Sequence, residues 1–315
     1  MDNCPPFLYN LLNQFGLVFC ILYLKEVSSL NELYTKISNS TKYVLYQFIK
    51  DNDISLLNYN FNYLFQYYIQ KYKIEVISHH FSNHKTEGLT IIDEYGISFS
   101  YEKDNPKTKQ NFTLCHELGH FILNHSGSCF TESVHNKEDL QEREANIFSA
   151  IVLMPDIVLL SKIYYSCDSF KKVQDSLGVS KLALYFRLLD LFREFYPHNE
   201  NQVKQAIEEY IGGQNASTIL LFHNIKEKLI SEFSQFKQSF KNQLENYIFD
   251  KGFVSSQELP ELLKQENWYN LKKEIRNLKI WLIYDKGKTL AYAWDSTKYL
   301  DDQARKKAEF KLHTI

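Results

Sequence analysis

Apolar positions along the chain change their spacing several times, and each change predicts an element. From Phe61 to Tyr72 aromatic residues recur at helical intervals, which predicts an amphipathic helix. Short β-rich runs follow at Ile74–Ile77, Leu89–Ile92 and Ile97–Tyr101, with Asp93-Glu94-Tyr95-Gly96 as the turn of a hairpin. Asn105-Pro106 breaks the chain before a helix predicted over 107–124. A polar loop then runs from Ser126 to Asn136, which caps a second helix over 137–153, and Met154-Pro155 ends it. Residues 156–196 read as two or three short helices, with Gly178-Val179-Ser180 as turn and cap.

The flanks read differently. Pro5-Pro6 opens a helix over about 7–26, while Ser28/Ser29 and Ser40/Thr41 cap helices over about 30–37 and 41–51. Beyond residue 199 the chain is polar and largely helical. Ser255-Ser256-Gln257-Glu258 caps one further helix and Trp268–Leu278 forms another. Strands follow at Trp281–Ile283 and Leu290–Trp294, joined by an Asp285-Lys286-Gly287-Lys288 turn. That order has a winged-helix outline. The chain therefore divides into an N-terminal helical module (1–58), a core (59–196) and a C-terminal helical plus hairpin module (197–315). The fold class is α+β, a small sheet with mainly helical flanks.

Composition narrows the function classes. The 315 residues are 44% hydrophobic and 15% aromatic, with a net charge of −2, so no global field favours nucleic acid or an anionic membrane. Residues 251–315 carry thirteen Lys/Arg against nine Asp/Glu, an excess too small to establish a nucleic-acid partner. Five cysteines follow no paired framework and read as reduced thiols of a cytoplasmic protein; Cys115 reads as a small buried hydrophobe. No charge occurs between Asn3 and Leu24, but Asn10, Asn13 and Gln14 interrupt the apolar run. That run reads as a buried helix, not a membrane span.

The chemistry lies in the helix at 107–124, which contains His116-Glu117-Leu118-Gly119-His120. Positions i and i+4 share a helix face, so both imidazoles can reach one ion, with Glu117 beside them as general base. Gly119 costs about 1 kcal/mol of helix propensity against Ala, which points to close approach of another backbone. A catalytic zinc site needs a third protein ligand. In Glu142-Arg143-Glu144-Ala145-Asn146-Ile147-Phe148, Glu144 shares the apolar stripe and is expected to be that ligand, whereas Glu142 and Arg143 read as solvated. His125, about 140° round the helix from His120, is not expected to coordinate. His79, His80, His84 and Tyr95 read as bystanders, and the 89–101 hairpin is expected to offer an edge strand to an extended substrate.

The phrase Phe-Thr-Leu-x-His-Glu-Leu-Gly-His-Phe-Ile-Leu, followed by Glu-Ala-Asn-x-Phe-x-x-x-x-Leu-Met-Pro, resembles the ImmA/IrrE family of zinc metallopeptidases over roughly residues 59–196. The resemblance implies a zincin-like core, Zn2+ held by His116, His120 and Glu144, and Glu117 as general base. It also implies a protein substrate, typically a helix-turn-helix repressor in phage, mobile-element, stress or toxin–antitoxin-like regulation. The competing readings are a regulator or anti-repressor that uses the fold to bind protein or DNA without cutting, and a toxin component with a different hydrolytic chemistry.

Overall fold

The computed structural model describes residues 32–81, 86–126, 129–133 and 140–313. The helix at 7–26, the Ser28/Ser29 cap, His84 and the Asn136 cap lie outside them. By packing, the chain divides at 236/237 into two units.

The first unit opens with α1 (32–51), one continuous helix where two are expected. Thr41 does not cap a new helix. Its hydroxyl donates back to the Ile37 carbonyl at 2.7 Å, so the backbone runs through without a break. Then come α2 (Asn62–Tyr72), β1 (Glu75–His79), β2 (Thr86–Asp93), β3 (Gly96–Glu102) and α3 (Lys107–Ile122). A short β4 (Cys129–Ser133) lies within the stretch read as a polar loop. The sheet order is β1-β3-β2-β4, with β1 parallel to β3 and the other pairs antiparallel. Both strands of the 89–101 hairpin are therefore interior. The expected substrate edge is not theirs, because β4 pairs with β2 and β1 with β3; β1 and β4 are the edges.

Helix α3 packs on β2 and β3, and α4 (Leu140–Leu153) packs on α3. The run continues through α5 (Asp156–Leu159) and a π-helical turn at Leu160–Tyr165. By length and composition Leu140–Tyr165 could cross a membrane, yet 78% of its most apolar window is buried inside the fold. Next are α6 (Phe170–Leu177), α7 (Lys181–Phe195), α8 (Glu200–Ile211) and α9 (Ala216–Gln235). Gly178, at φ +64°, ends α6, and Ser180 caps α7 by accepting from the Ala183 N–H at 3.1 Å. Leu45 and Tyr46 of α1, Phe99 of β3, Leu118 of α3 and Phe222 of α9 share one core. Packing thus crosses the expected boundaries near 58 and 196, because α1, α8 and α9 bury their apolar faces against the central helices.

A buried ion cluster ties four of these helices together. Asp156 accepts from Lys42 at 2.8 Å and from Arg187, and Lys42 also reaches Glu232 at 3.0 Å. Burial alone would raise the Asp156 carboxyl, but Arg187 and Lys42 outweigh it and hold the group below its ordinary 3.8.

The second unit contains α10 (Phe240–Lys251), β5 (Phe253–Ser255), two 3-10 turns (Pro260–Leu263 and Gln265–Asn267), α11 (Trp268–Glu274), β6 (Leu278–Asp285), β7 (Lys288–Asp295) and α12 (Asp301–His313). Its sheet order is β5-β7-β6. Alternation along β7 fills two cores: Ala291 and Ala293 face α10 and α11, while Leu290, Tyr292 and Trp294 pack under Ala304 and Ala308 of α12. The helix expected after Ser255 is only a 3-10 turn. Glu258 accepts from the Ser255 hydroxyl at 2.6 Å and its N–H at 3.1 Å, which closes the turn locally. The β6–β7 turn forms as expected, with Lys286 at φ +49° and Gly287 at φ +81°, the left-handed pair that a two-residue hairpin needs.

Replacing Asp156 with Ala would strand Arg187 as a buried cation and leave Lys42 with Glu232 alone. It should lower stability by about 3–5 kcal/mol in denaturant unfolding at neutral pH. Because the folded pKa lies below the unfolded one, the wild-type contribution is present above the ordinary 3.8 and lost as pH falls through the folded value. The gap between wild type and variant should accordingly narrow in acid.

Candidate metal centre

Two helices build this site, and their contact sets its geometry. A Cβ on Gly119 would lie 3.0 Å from the Phe148 ring and 3.4 Å from the Ala145 Cα. The glycine is there for close approach of α4, as its helix cost suggests. Cys115 and Leu118 fill the rest of the seam; burial pushes the Cys115 thiol up, consistent with a packing role. Cys115 and Cys167 are free thiols, one buried and one exposed.

His116 and His120 are each 1% exposed. Their Nε2 atoms lie 3.0 Å apart. The Glu142 carboxylate meets the same point, with Oε2 3.1 Å from His116 Nε2 and Oε1 3.5 Å from His120 Nε2. The side chain of Glu142 is 12% exposed. These three residues form a buried group whose ligand atoms lie close enough together for one ion; the other such group among the described residues, His80, Glu102 and Asp104, is largely exposed.

Glu144 is elsewhere. Its Oε2 lies 2.9 Å from His125 Nε2, and His125 Nδ1 is 2.8 Å from His120 Nδ1. The expected third ligand is thus behind the site, and the residue read as solvated lies in it. The reason is helix phase. Glu142 lies on the α4 face of Asn146 and Ser149, and that face meets the two histidines. The bulky Phe148 and Ile151 that suggested Glu144 define a different part of a helix buried on most sides.

His125 was missed because α3 ends at Ile122, two residues earlier than expected. Asn124 takes a left-handed φ of +55°. The Asn124 N–H donates to Phe121 O at 3.2 Å and the His125 N–H to His120 O at 3.1 Å. This is a Schellman termination, and it folds His125 back onto His120. Only the pattern of His followed by Asn-His just past an apolar helix end could have signalled it.

One proton assignment satisfies the contacts made by the Nδ1 atoms of His116 and His120 and by both nitrogens of His125. Asn146 Oδ1 accepts from His116 Nδ1–H at 3.1 Å. Glu144 accepts from His125 Nε2–H, and His125 Nδ1 accepts from His120 Nδ1–H. Both His116 and His120 then present Nε2 lone pairs beside a carboxylate. Burial, followed by neighbouring His116 and His125, pushes His120 down to about 3, so its imidazole is neutral at physiological pH. Burial also lowers His125 against the opposing pull of Glu144. Two imidazoles and a carboxylate suit a divalent transition metal, and the Glu144–His125–His120 chain is the outer support such ligands take.

Glu117 is fully buried and points at the sheet. Thr90 of β2 donates to its Oε2 at 2.5 Å. A side chain at Gly88 would collide with the Glu117 carboxylate and come within 2.5 Å of the Thr113 methyl. The other sequence candidates stand apart: His79 stacks on Phe81, His80 lies 2.9 Å from Asp104, and Tyr95 is 91% exposed in the hairpin turn.

The two glutamates should separate in a metal-binding assay. Glu142→Ala should abolish stoichiometric zinc binding, whereas Glu144→Gln and His125→Ala should weaken it by about 10–100-fold. Chelator competition measures both; the reverse ranking would restore Glu144 as the ligand.

Residues 69–189 match a family model described as the IrrE N-terminal-like domain of peptidase M78. No curated protein matches the chain.

Proposed function

With residues 69–189 forming an IrrE N-terminal-like peptidase domain, in keeping with the ImmA/IrrE resemblance, we propose that this chain is a zinc-dependent endopeptidase acting on a regulatory protein. The observation that carries the reading is the buried convergence of His116, His120 and Glu142 one residue from Glu117. His116, His120 and Glu142 would hold the ion, with Asn146 and the His125–Glu144 pair fixing the two rings.

When bound, a divalent ion supplies Lewis acidity, polarising a peptide carbonyl and lowering the pKa of a water towards about 7. Glu117 takes the proton from the attacking water and delivers it to the leaving amine. Thr90 holds that carboxylate in one rotamer, and Gly88 leaves it room. An extended segment pairing with edge strand β4 would run one strand away from Gly88 and Thr90, where backbone hydrogen bonds hold it independently of side chains. The substrate class is a helix-turn-helix repressor, as the family resemblance implies, in phage, mobile-element or stress regulation.

Glu117→Gln should retain stoichiometric zinc and lose about 10²–10⁴-fold in cleavage rate. The assay uses a helix-turn-helix protein encoded beside this chain, with products read by mass spectrometry. Undiminished cleavage by the zinc-loaded variant would sink the mechanism; an intact repressor with active wild-type enzyme would sink the substrate class. Gly88→Ala should also keep its zinc but lower kcat, because the added methyl displaces Glu117.

A further inference from the structure

The second unit contains a surface that the peptidase reading does not use. Its order of helix, strand, two 3-10 turns leading into α11, strand and strand, with sheet order β5-β7-β6, is winged-helix connectivity. In that arrangement α11 is the helix presented to a partner and the β6–β7 turn is the wing. Both carry cations. α11 buries Leu271 and Ile275 in the unit's own core and leaves Tyr269, Asn270, Lys272 and Lys273 exposed, with Arg276 just beyond its end. Lys272 lies against its own Trp268 ring at 5.6 Å. The acid on α11, Glu274, is occupied by Lys241 at 2.9 Å.

At the wing, Lys286 and Lys288 are exposed on either side of Gly287, and Tyr284 is 70% exposed at its base. Lys273, Arg276, Lys286 and Lys288 have no salt-bridge partner among the described residues, whereas the neighbouring Lys279, Arg305 and Lys311 are each paired. Cations without a salt bridge thus line both the helix and the wing; Lys251, Lys264 and Lys306 also have none among the described residues, but lie outside the two elements that winged-helix connectivity presents. Besides Glu274, the acids closest to them in sequence are Glu266, before α11, and Asp285, at the wing base.

We propose that this face binds duplex DNA, with α11 entering the major groove and the Asp285–Lys288 wing lying on the adjacent backbone. Asn, Lys and Arg on a short exposed helix are the side chains that read base edges and phosphates. A protein-docking face would centre on apolar anchors, but the aliphatic residues of α11 are spent in the core. A membrane-surface helix would need that same apolar side outward. Duplex RNA has a major groove too narrow for a helix.

The test uses the full chain and a fluorescent mixed-sequence duplex of about 25 base pairs, a length chosen to exceed two turns. Anisotropy titrations run between 50 and 200 mM salt. Wild type should bind, with affinity falling steeply as salt rises. The pairs K273E/R276E and K286E/K288E should each weaken binding at least about tenfold and flatten the log–log salt slope by about 2, the loss of two phosphate contacts. K306E, on α12, should change affinity less than about twofold. Circular dichroism melts of each variant exclude unfolding as the cause. Absence of binding by wild type at 50 mM salt would overturn the proposal. Unchanged affinity in both paired variants would do the same, as would tighter binding to anionic vesicles or single-stranded RNA. Glu117→Gln should bind DNA as wild type does, so this proposal and the peptidase reading fail independently.

Discussion

The approach of α3 to α4 at Gly119 is the constraint on which the first unit depends. With no side chain there, the Phe148 ring and the Ala145 backbone come into van der Waals contact with the helix that carries both histidines. That separation lets Glu142, from one helix, meet Nε2 atoms from the other. It also buries Cys115 and Leu118, so the ligand-bearing turn is fixed by core packing rather than by loops. A site built on two packed helices holds its geometry more closely than one built on loops. Here the apolar seam and the polar cluster are consecutive turns of the same contact.

Polar satisfaction follows from the same contact. A buried imidazole costs free energy unless its second nitrogen is occupied. Asn146 serves His116 from α4, and the left-handed turn at Asn124 returns His125 to serve His120. Glu144 then anchors His125. The two glutamates of α4, two residues apart, thereby take different tasks: one meets the ligand atoms and the other orients a ring. About 100° round α3 from His116, Glu117 is held by the sheet through Thr90, and Gly88 gives it space. A proton-transfer group and a metal-binding group are thus braced by separate elements, sheet and helix, on one helical turn.

The second unit shows how one strand can serve two cores. Small residues on one face of β7 admit α10 and α11, and aromatic residues on the other take up the space beneath α12. Because α11 spends its apolar side inside, its outward side is left to Tyr, Asn, Lys and Arg. The surface chemistry of this unit is a consequence of its core.

Local rules carried much of this structure. Helical spacing placed His116, Glu117 and His120 on one turn, the glycine between them announced a close neighbour, and the strands at 74–101 and the Lys286-Gly287 turn followed from period-2 runs and turn residues. The sequence by itself determined those elements because their causes lie within a few residues. It did not separate Glu142 from Glu144, since a helix buried on most sides has apolar residues beside both. It did not place His125, because extrapolating α3 by two residues points that ring away, while the observed Schellman turn reverses it. It divided α1 at Thr41, whose hydroxyl instead bonds backwards along a continuous buried helix. It left β4 as loop, because a short polar edge strand exists only by pairing with β2. Tertiary structure decided between Glu142 and Glu144 and made β4 a strand, because each depends on which surface another element presents; the Asn124 turn and the Thr41 back-bond are local, and local rules alone left two conformations open at each.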